Sequence, residues 1–178
     1  KIAATLKVDP KELIITSGGT ESNNMALIGT ALAAKRKGNH IITTAVEHPS
    51  VKATASFLEE QGFRITFLSV DSRGQISLED LKEALTPDTI LVSIMYVNNE
   101  IGTIQPVEEA AKLVHATVPG AVFHVDAIQA YGKVMIRPKQ QGIDLLSVSS
   151  HKFHGPKGAG FLYCSSKVNL HPIIFGGG

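Results

Sequence analysis

The chain has 178 residues, 43% hydrophobic and 19% charged, with a formal net charge of +1. That length suits one domain or the larger part of a two-domain protein. Near-neutrality, with no basic run and no arginine–aromatic alternation, argues against a nucleic-acid partner, and no apolar stretch is long enough to cross a bilayer.

Lys1 to Lys7 reads as the tail of a helix whose start is missing, ended by Asp9-Pro10. Residue 1 is Lys rather than Met, and no signal peptide precedes the first element. Candidate strands follow at 12–16, 40–44, 64–68, 89–95, 121–125, 145–148 and 160–163. Candidate helices lie at 20–37, 50–61, 78–85 and 107–116, with a short one near 128–131. Most of the strands are uniformly apolar rather than alternating, which fits burial on both faces. Strands and helices taking turns imply an α/β fold with a mainly parallel sheet covered on both sides.

Turn chemistry supports these boundaries. Thr86-Pro87-Asp88 and Val118-Pro119-Gly120 separate helix from strand, and Asp71-Ser72-Arg73-Gly74 is a turn. Ser77 is placed to cap 78–85, with Asp80 filling the carboxylate position of a capping box. No repeat, low-complexity tract or linker interrupts the chain, so residues 1–178 read as one domain. Phe175-Gly176-Gly177-Gly178 stops within a loop, and the chain reads as a piece of a longer protein.

Chemistry-bearing residues gather at strand ends. Ser17-Gly18-Gly19-Thr20-Glu21-Ser22-Asn23-Asn24 is a glycine turn opening a helix. Free N–H groups and the positive end of the dipole make such a start attractive to an anion such as phosphate. Its spacing is neither a P-loop nor a dinucleotide fingerprint, and a plain capped helix would look similar. Glu47-His48-Pro49-Ser50 ends a second strand. His48 could stack on a flat ring or exchange protons, or simply sit in a rim loop beside a capping Ser50. In Val97-Asn98-Asn99-Glu100-Ile101-Gly102 two adjacent amides suit a ligand, although Asn-Asn is also ordinary turn chemistry.

Val122-Phe123-His124-Val125-Asp126-Ala127-Ile128-Gln129 closes an apolar run with a carboxylate, and an amide comes three residues later. Ligands of open parallel sheets sit beyond the carboxyl ends of the strands. Asp126 could therefore meet a ligand cation there, or only cap the short helix after it. Ser147-Val148-Ser149-Ser150-His151-Lys152 sets a lysine just beyond another strand. A rim lysine is usually only solvated. The coincidence is more telling than any single motif. A phosphate grip, imidazole, amide, carboxylate and lysine each end a different strand, and together they meet the needs of pyridoxal 5'-phosphate.

A metal site is the weaker reading. His124-x-Asp126 and His151-x-x-His154 offer ligands, but a lysine between the second pair opposes a dication. No metal is expected. Cys164, the one cysteine, excludes an internal disulfide and suits a reducing, cytoplasmic setting. It reads as an ordinary small apolar residue.

These motifs resemble the cysteine desulfurases of the NifS/IscS type, in the class V aminotransferase family of fold-type I pyridoxal-phosphate enzymes. Five segments run in family order through almost the whole chain: residues 17–24, 47–51, 97–103 with Gln105-Pro106, 124–129, and 149–152 with Gly155-Pro156-Lys157-Gly158. The resemblance implies a three-layer α/β/α large domain on a seven-stranded, mainly parallel sheet whose last strand, at 160–163, runs antiparallel.

It also implies roles. Lys152 would condense with the cofactor aldehyde. Asp126 would face the pyridine nitrogen and Gln129 the ring hydroxyl. His48 would stack on the ring and move protons. Gly19, Thr20, Ser149 and His151 would hold the phosphate, and Asn99 would lie near substrate and ring. The implied reaction converts L-cysteine to L-alanine and leaves sulfur on an enzyme cysteine. From there it passes to an acceptor protein, such as an iron–sulfur scaffold or a thiolation enzyme. The family is homodimeric.

The family's nucleophilic cysteine, its substrate-carboxylate arginine and its small domain all fall outside this chain, so the piece alone is expected to be inactive. A selenocysteine lyase or another class V relative, and a noncatalytic sulfur-transfer scaffold, are the alternatives.

Overall fold

A computed structural model describes residues 1–176; Gly177 and Gly178, the end of the glycine run read as a loop, lie outside the described residues. Seven strands form one sheet in the order β1-β7-β6-β5-β4-β2-β3. They are β1 (Leu13–Thr16), β2 (His40–Thr44), β3 (Arg64–Leu68), β4 (Thr89–Met95), β5 (Val122–Asp126), β6 (Leu145–Ser149) and β7 (Gly160–Cys164). Pairing is parallel from β3 across to β6, while β7 runs antiparallel to both β6 and β1. The expected antiparallel last strand is therefore present. It also carries β1, whose residues pair with β7 alone.

Three layers result from alternation along the strands. Ile41, Leu91, Leu145 and Leu162 face one apolar cluster, shared with Ala26, Leu27 and Ala31 of α2 (Gly19–Ala34) and Val51 and Leu58 of α3 (Pro49–Glu60). Their neighbours Ile42, Val92, Leu146, Phe161 and Tyr163 face the other cluster. There they meet Leu81 of α4 (Leu78–Ala84) and Ala110, Ala111 and Val114 of α5 (Val107–Thr117). Side chains of a strand point alternately to its two faces, so a strand with helices on both sides is covered throughout. That is why β2, β4 and β6 are buried at every residue, whereas the edge strands β1 and β3 are only partly covered.

Several local expectations need correction. The first helix, α1 (Ile2–Leu6), ends at Lys7 in a left-handed conformation at φ 55°, before Asp9-Pro10 is reached. Asp9 instead opens a 3₁₀ turn at Pro10–Glu12, and a full capping box with Glu12 closes there. The box expected at Ser77 is half made: Ser77 Oγ accepts the Asp80 N–H at 3.2 Å. The segment at 128–131 is a turn rather than a helix, with the N–H groups of Ala130 and Tyr131 both donating to Ala127 O. One short helix, α6 (Pro138–Gln141), was not foreseen. Proline at its first position and glycine just past its end are adequate signals in so short an element.

Candidate functional site

Strands β1, β2, β4, β5 and β6 point the same way, so their carboxyl ends lie along one edge. Five loops leave from that edge and enclose a cavity of about 310 Å³. Gly19 and Thr20 open α2 just after the turn that follows β1, and His48 comes from the loop after β2. Asn99 follows β4, Asp126 and Gln129 end and follow β5, and Ser149, His151 and Lys152 end and follow β6. The nine residues given cofactor or catalytic roles in the sequence all line this one cavity. Ser50, Met95 and Ile128 line it too, without having been foreseen.

The start of α2 is built for close approach. Gly18 precedes the helix at φ 151°, where a side chain would be strained. A Cβ on Gly19 would come within 2.1 Å of Ile128 Cδ1 and 2.9 Å of its Cγ1. The backbone therefore lies bare beside the cavity, with the helix's first N–H groups available at a positive dipole end. Ser149 Oγ pairs with His151 Nδ1 at 2.8 Å on the facing loop. This cup of backbone donors, a hydroxyl and an imidazole suits an anion.

Asp126 is buried. One of its oxygens accepts the Ile128 N–H at 3.0 Å and the other the Asn23 amide at 2.8 Å. Burial nevertheless holds its pKa above the ordinary carboxylate value; those hydrogen bonds and nearby His48 only oppose the shift. None of the ion pairs among the described residues includes it. A buried carboxylate in that state favours a cationic N–H from a ligand.

His48 turns out to be the cap of α3. Its Nδ1 accepts the Ser50 N–H at 3.1 Å, the role the sequence suggested for Ser50. Asn98 and Asn99 divide the two readings of the Asn-Asn pair. Asn98 is buried and accepts the N–H groups of Glu100 and Ile101 at 2.9 and 3.0 Å, which is turn chemistry. Asn99 is exposed on the cavity wall.

Lys152 sits in a 3₁₀ turn at Ser150–Phe153 and is exposed. Its side chain is solvated, as is usual for a lysine at a sheet rim. Sequence reasoning missed Asn23 altogether. It lies on α2, buried, and its signal was only a second amide beside the glycine turn.

The other candidates separate from the cavity. His124 is fully buried between Ser93 Oγ at 2.8 Å and Ser147 Oγ at 2.9 Å. Burial pushes it down to about 3, so it stays neutral. Burial likewise pushes the Cys164 thiol up to about 11, which disfavours the thiolate a nucleophile needs. Among the described residues no group of three His, Cys, Asp or Glu side chains is arranged around a metal, and no helix is long and apolar enough to cross a membrane.

The sequence model of the class-V aminotransferase family matches residues 1–178. The chain is 50% identical over 178 residues to the cysteine desulfurase IscS of Clostridium botulinum (strain Kyoto / Type A2), covering 100% of this chain and 44% of that protein. A solved structure titled NIFS-LIKE PROTEIN superimposes with a TM-score of 0.96 at 43% identity, over 99% of this chain and 48% of the other. DndA from Streptomyces lividans does so with a TM-score of 0.90 at 46% identity, over 99% and 51%. The chain thus spans about half the length of the relatives it matches.

Proposed function

Because the chain belongs to the class-V aminotransferase family, we propose that it is the cofactor-binding part of a cysteine desulfurase, with pyridoxal 5'-phosphate held in the strand-end cavity. The observation that carries this is the meeting of nine sequence-selected residues, from the carboxyl ends of five strands and the segments that follow them, around one cavity of about 310 Å³. The residues fit the group on two further counts. The bare backbone at Gly19 leaves room for a phosphate, and the raised pKa of buried Asp126 calls for a cationic partner.

Gly19, Thr20, Ser149 and His151 would hold the phosphate, Asp126 the ring nitrogen and Gln129 the ring hydroxyl. His48 would cover the ring face, and Asn99 would contact substrate. When bound, the cofactor supplies an aldehyde for the substrate amine and a ring that accepts electrons. Lys152 Nζ would take the proton from the substrate α-carbon and return it, and the buried Asp126 carboxylate would favour a protonated ring nitrogen. His48 would face the ligand with Nε2, which carries the proton of the neutral ring because Nδ1 is already an acceptor.

The substrate would be L-cysteine and the product L-alanine, with sulfur leaving through a cysteine thiolate to an acceptor protein such as an iron–sulfur scaffold or a thiolation enzyme. Cys164 is a poor candidate for that thiolate, being half-buried with its thiol pushed up. Residues 1–178 would be the large domain of a homodimer. Exposed Lys152 then gains its cover from parts of the full-length protein beyond this chain. A lone cysteine suits a reducing compartment such as the cytoplasm.

Borohydride reduction of the cofactor-loaded full-length protein, followed by peptide mapping, tests the assignment. A stable adduct on Lys152, absent in Lys152→Ala, is the expected result. Unchanged sulfide release by Lys152→Ala would overturn it.

A further inference from the structure

Asn23 is fully buried on α2. One amide hydrogen is donated to Asp126 Oδ2 at 2.8 Å and the other to Ser50 Oγ at 2.9 Å. Both hydrogens of the group are thereby used. Ser50 Oγ, already accepting, keeps its own hydrogen for His48 Nδ1 at 2.8 Å. The Ser50 backbone N–H reaches the same nitrogen at 3.1 Å. Two donors converge on Nδ1, so in the neutral ring the proton sits on Nε2. Turning the Asn23 amide over would set its oxygen against a carboxylate, which fixes the orientation.

The Asn23 Oδ1 atom is buried with no partner. An unpaired amide oxygen in the interior is a cost that an alanine or leucine at this position would avoid. The residue is explained by what its two hydrogens do, not by packing.

We propose that Asn23 is a positioning residue that, through Ser50, couples Asp126 to His48 and sets His48 in its Nε2–H form. The purpose rests on the cofactor reading of the cavity; the coupling is a property of the chain's own side chains. A group that meets Nε2 then meets a hydrogen-bond donor. His48 thus begins a turnover as a hydrogen-bond donor at Nε2, while Lys152 is the group that takes a proton.

The tautomer is read directly from the nitrogen resonances of His48 in full-length, cofactor-free protein carrying heavy-nitrogen histidine, assigned by their loss in His48→Gln. The expected spectrum shows a protonated Nε2 and an unprotonated Nδ1 in wild type. Asn23→Ala frees the Ser50 hydroxyl to turn and accept, so the Nε2–H excess over Nδ1–H falls by about threefold to tenfold, the scale of one net hydrogen bond. Ser50→Ala breaks the link from another helix and shifts the ratio the same way. A proton on Nδ1 in wild type, a test that needs no variant to fold, or an unchanged ratio in either variant, overturns the proposal. Because no cofactor is present, failure of the cofactor reading would show in the borohydride adduct and leave these spectra unaltered.

Discussion

Glu47 Oε1 accepts the backbone N–H of Met95 at 2.8 Å and the Thr44 hydroxyl at the same distance. The bond ties the end of β2 to the end of β4, just where the loops bearing His48 and Asn99 begin. The second carboxyl oxygen is buried without a partner. Burial, opposed in part by the Met95 N–H and reinforced by Asp126, pushes this group from 4.5 up to about 8.

That shift has a sign. Native Glu47 keeps its proton up to about pH 8, whereas the unfolded chain releases it near 4.5. Between those values the native state binds the extra proton, so stability falls as pH rises, by up to about 1.4 kcal/mol per pH unit. Glu47→Gln removes that slope while keeping an oxygen for Met95. Denaturant unfolding of the full-length protein across this window checks it, and the variant is the more stable at the alkaline end.

His124 acts on the acid side. It stays neutral in the native state down to about 3, while unfolded histidine titrates near 6.5. Its contribution is complete above 6.5 and is lost as pH falls toward 3; His40, pushed down to about 4 by burial, adds in the same direction. His124→Leu flattens part of this acid limb. At neutral pH it costs roughly 1–3 kcal/mol for each serine hydroxyl left buried and unpaired. Unfolding curves at graded pH report both effects.

Gly19→Ala drives a methyl into Ile128. Crowding of this kind costs about 1–3 kcal/mol, and the loop displacement it forces should weaken cofactor binding about tenfold or more. Ile128→Ala on top of it makes room and restores most of the loss. The interaction energy of the double-mutant cycle, read from cofactor titration and thermal unfolding, measures the contact.

Asp126→Asn keeps the shape and the Ile128 N–H bond but removes the charge. Sulfide release by the full-length protein should drop at least about 100-fold, as for loss of a preorganised charge-stabilising group. Binding of the cofactor phosphate, held by other loops, persists and is followed by absorbance.

The sheet was legible because strands buried on both faces show no polar–apolar alternation, so the apolar runs within β2, β4 and β6 stand out. The cavity was legible because strand order need not be known: any parallel arrangement brings carboxyl ends to one edge, and Gly19, His48, Asn99, Asp126 and Lys152 all lie at or just past strand ends. What escaped was contact across elements. Nothing local to Asn23 says that its amide will reach Asp126 and Ser50; Pro49, by contrast, is a first-position signal that points to His48 rather than Ser50 as the cap of α3. The exposure of Lys152 follows its place at the rim, where a lysine is usually solvated.

β1 joins the sheet only through β7. On the ribosome, the segment ending at Thr16 must wait without a strand partner until Gly160–Cys164 has emerged. The glycine turn after β1 is thus held first from its helix side, where α2 packs on β2, β4 and β6, and gains its strand-side anchor only when Gly160–Cys164 arrives.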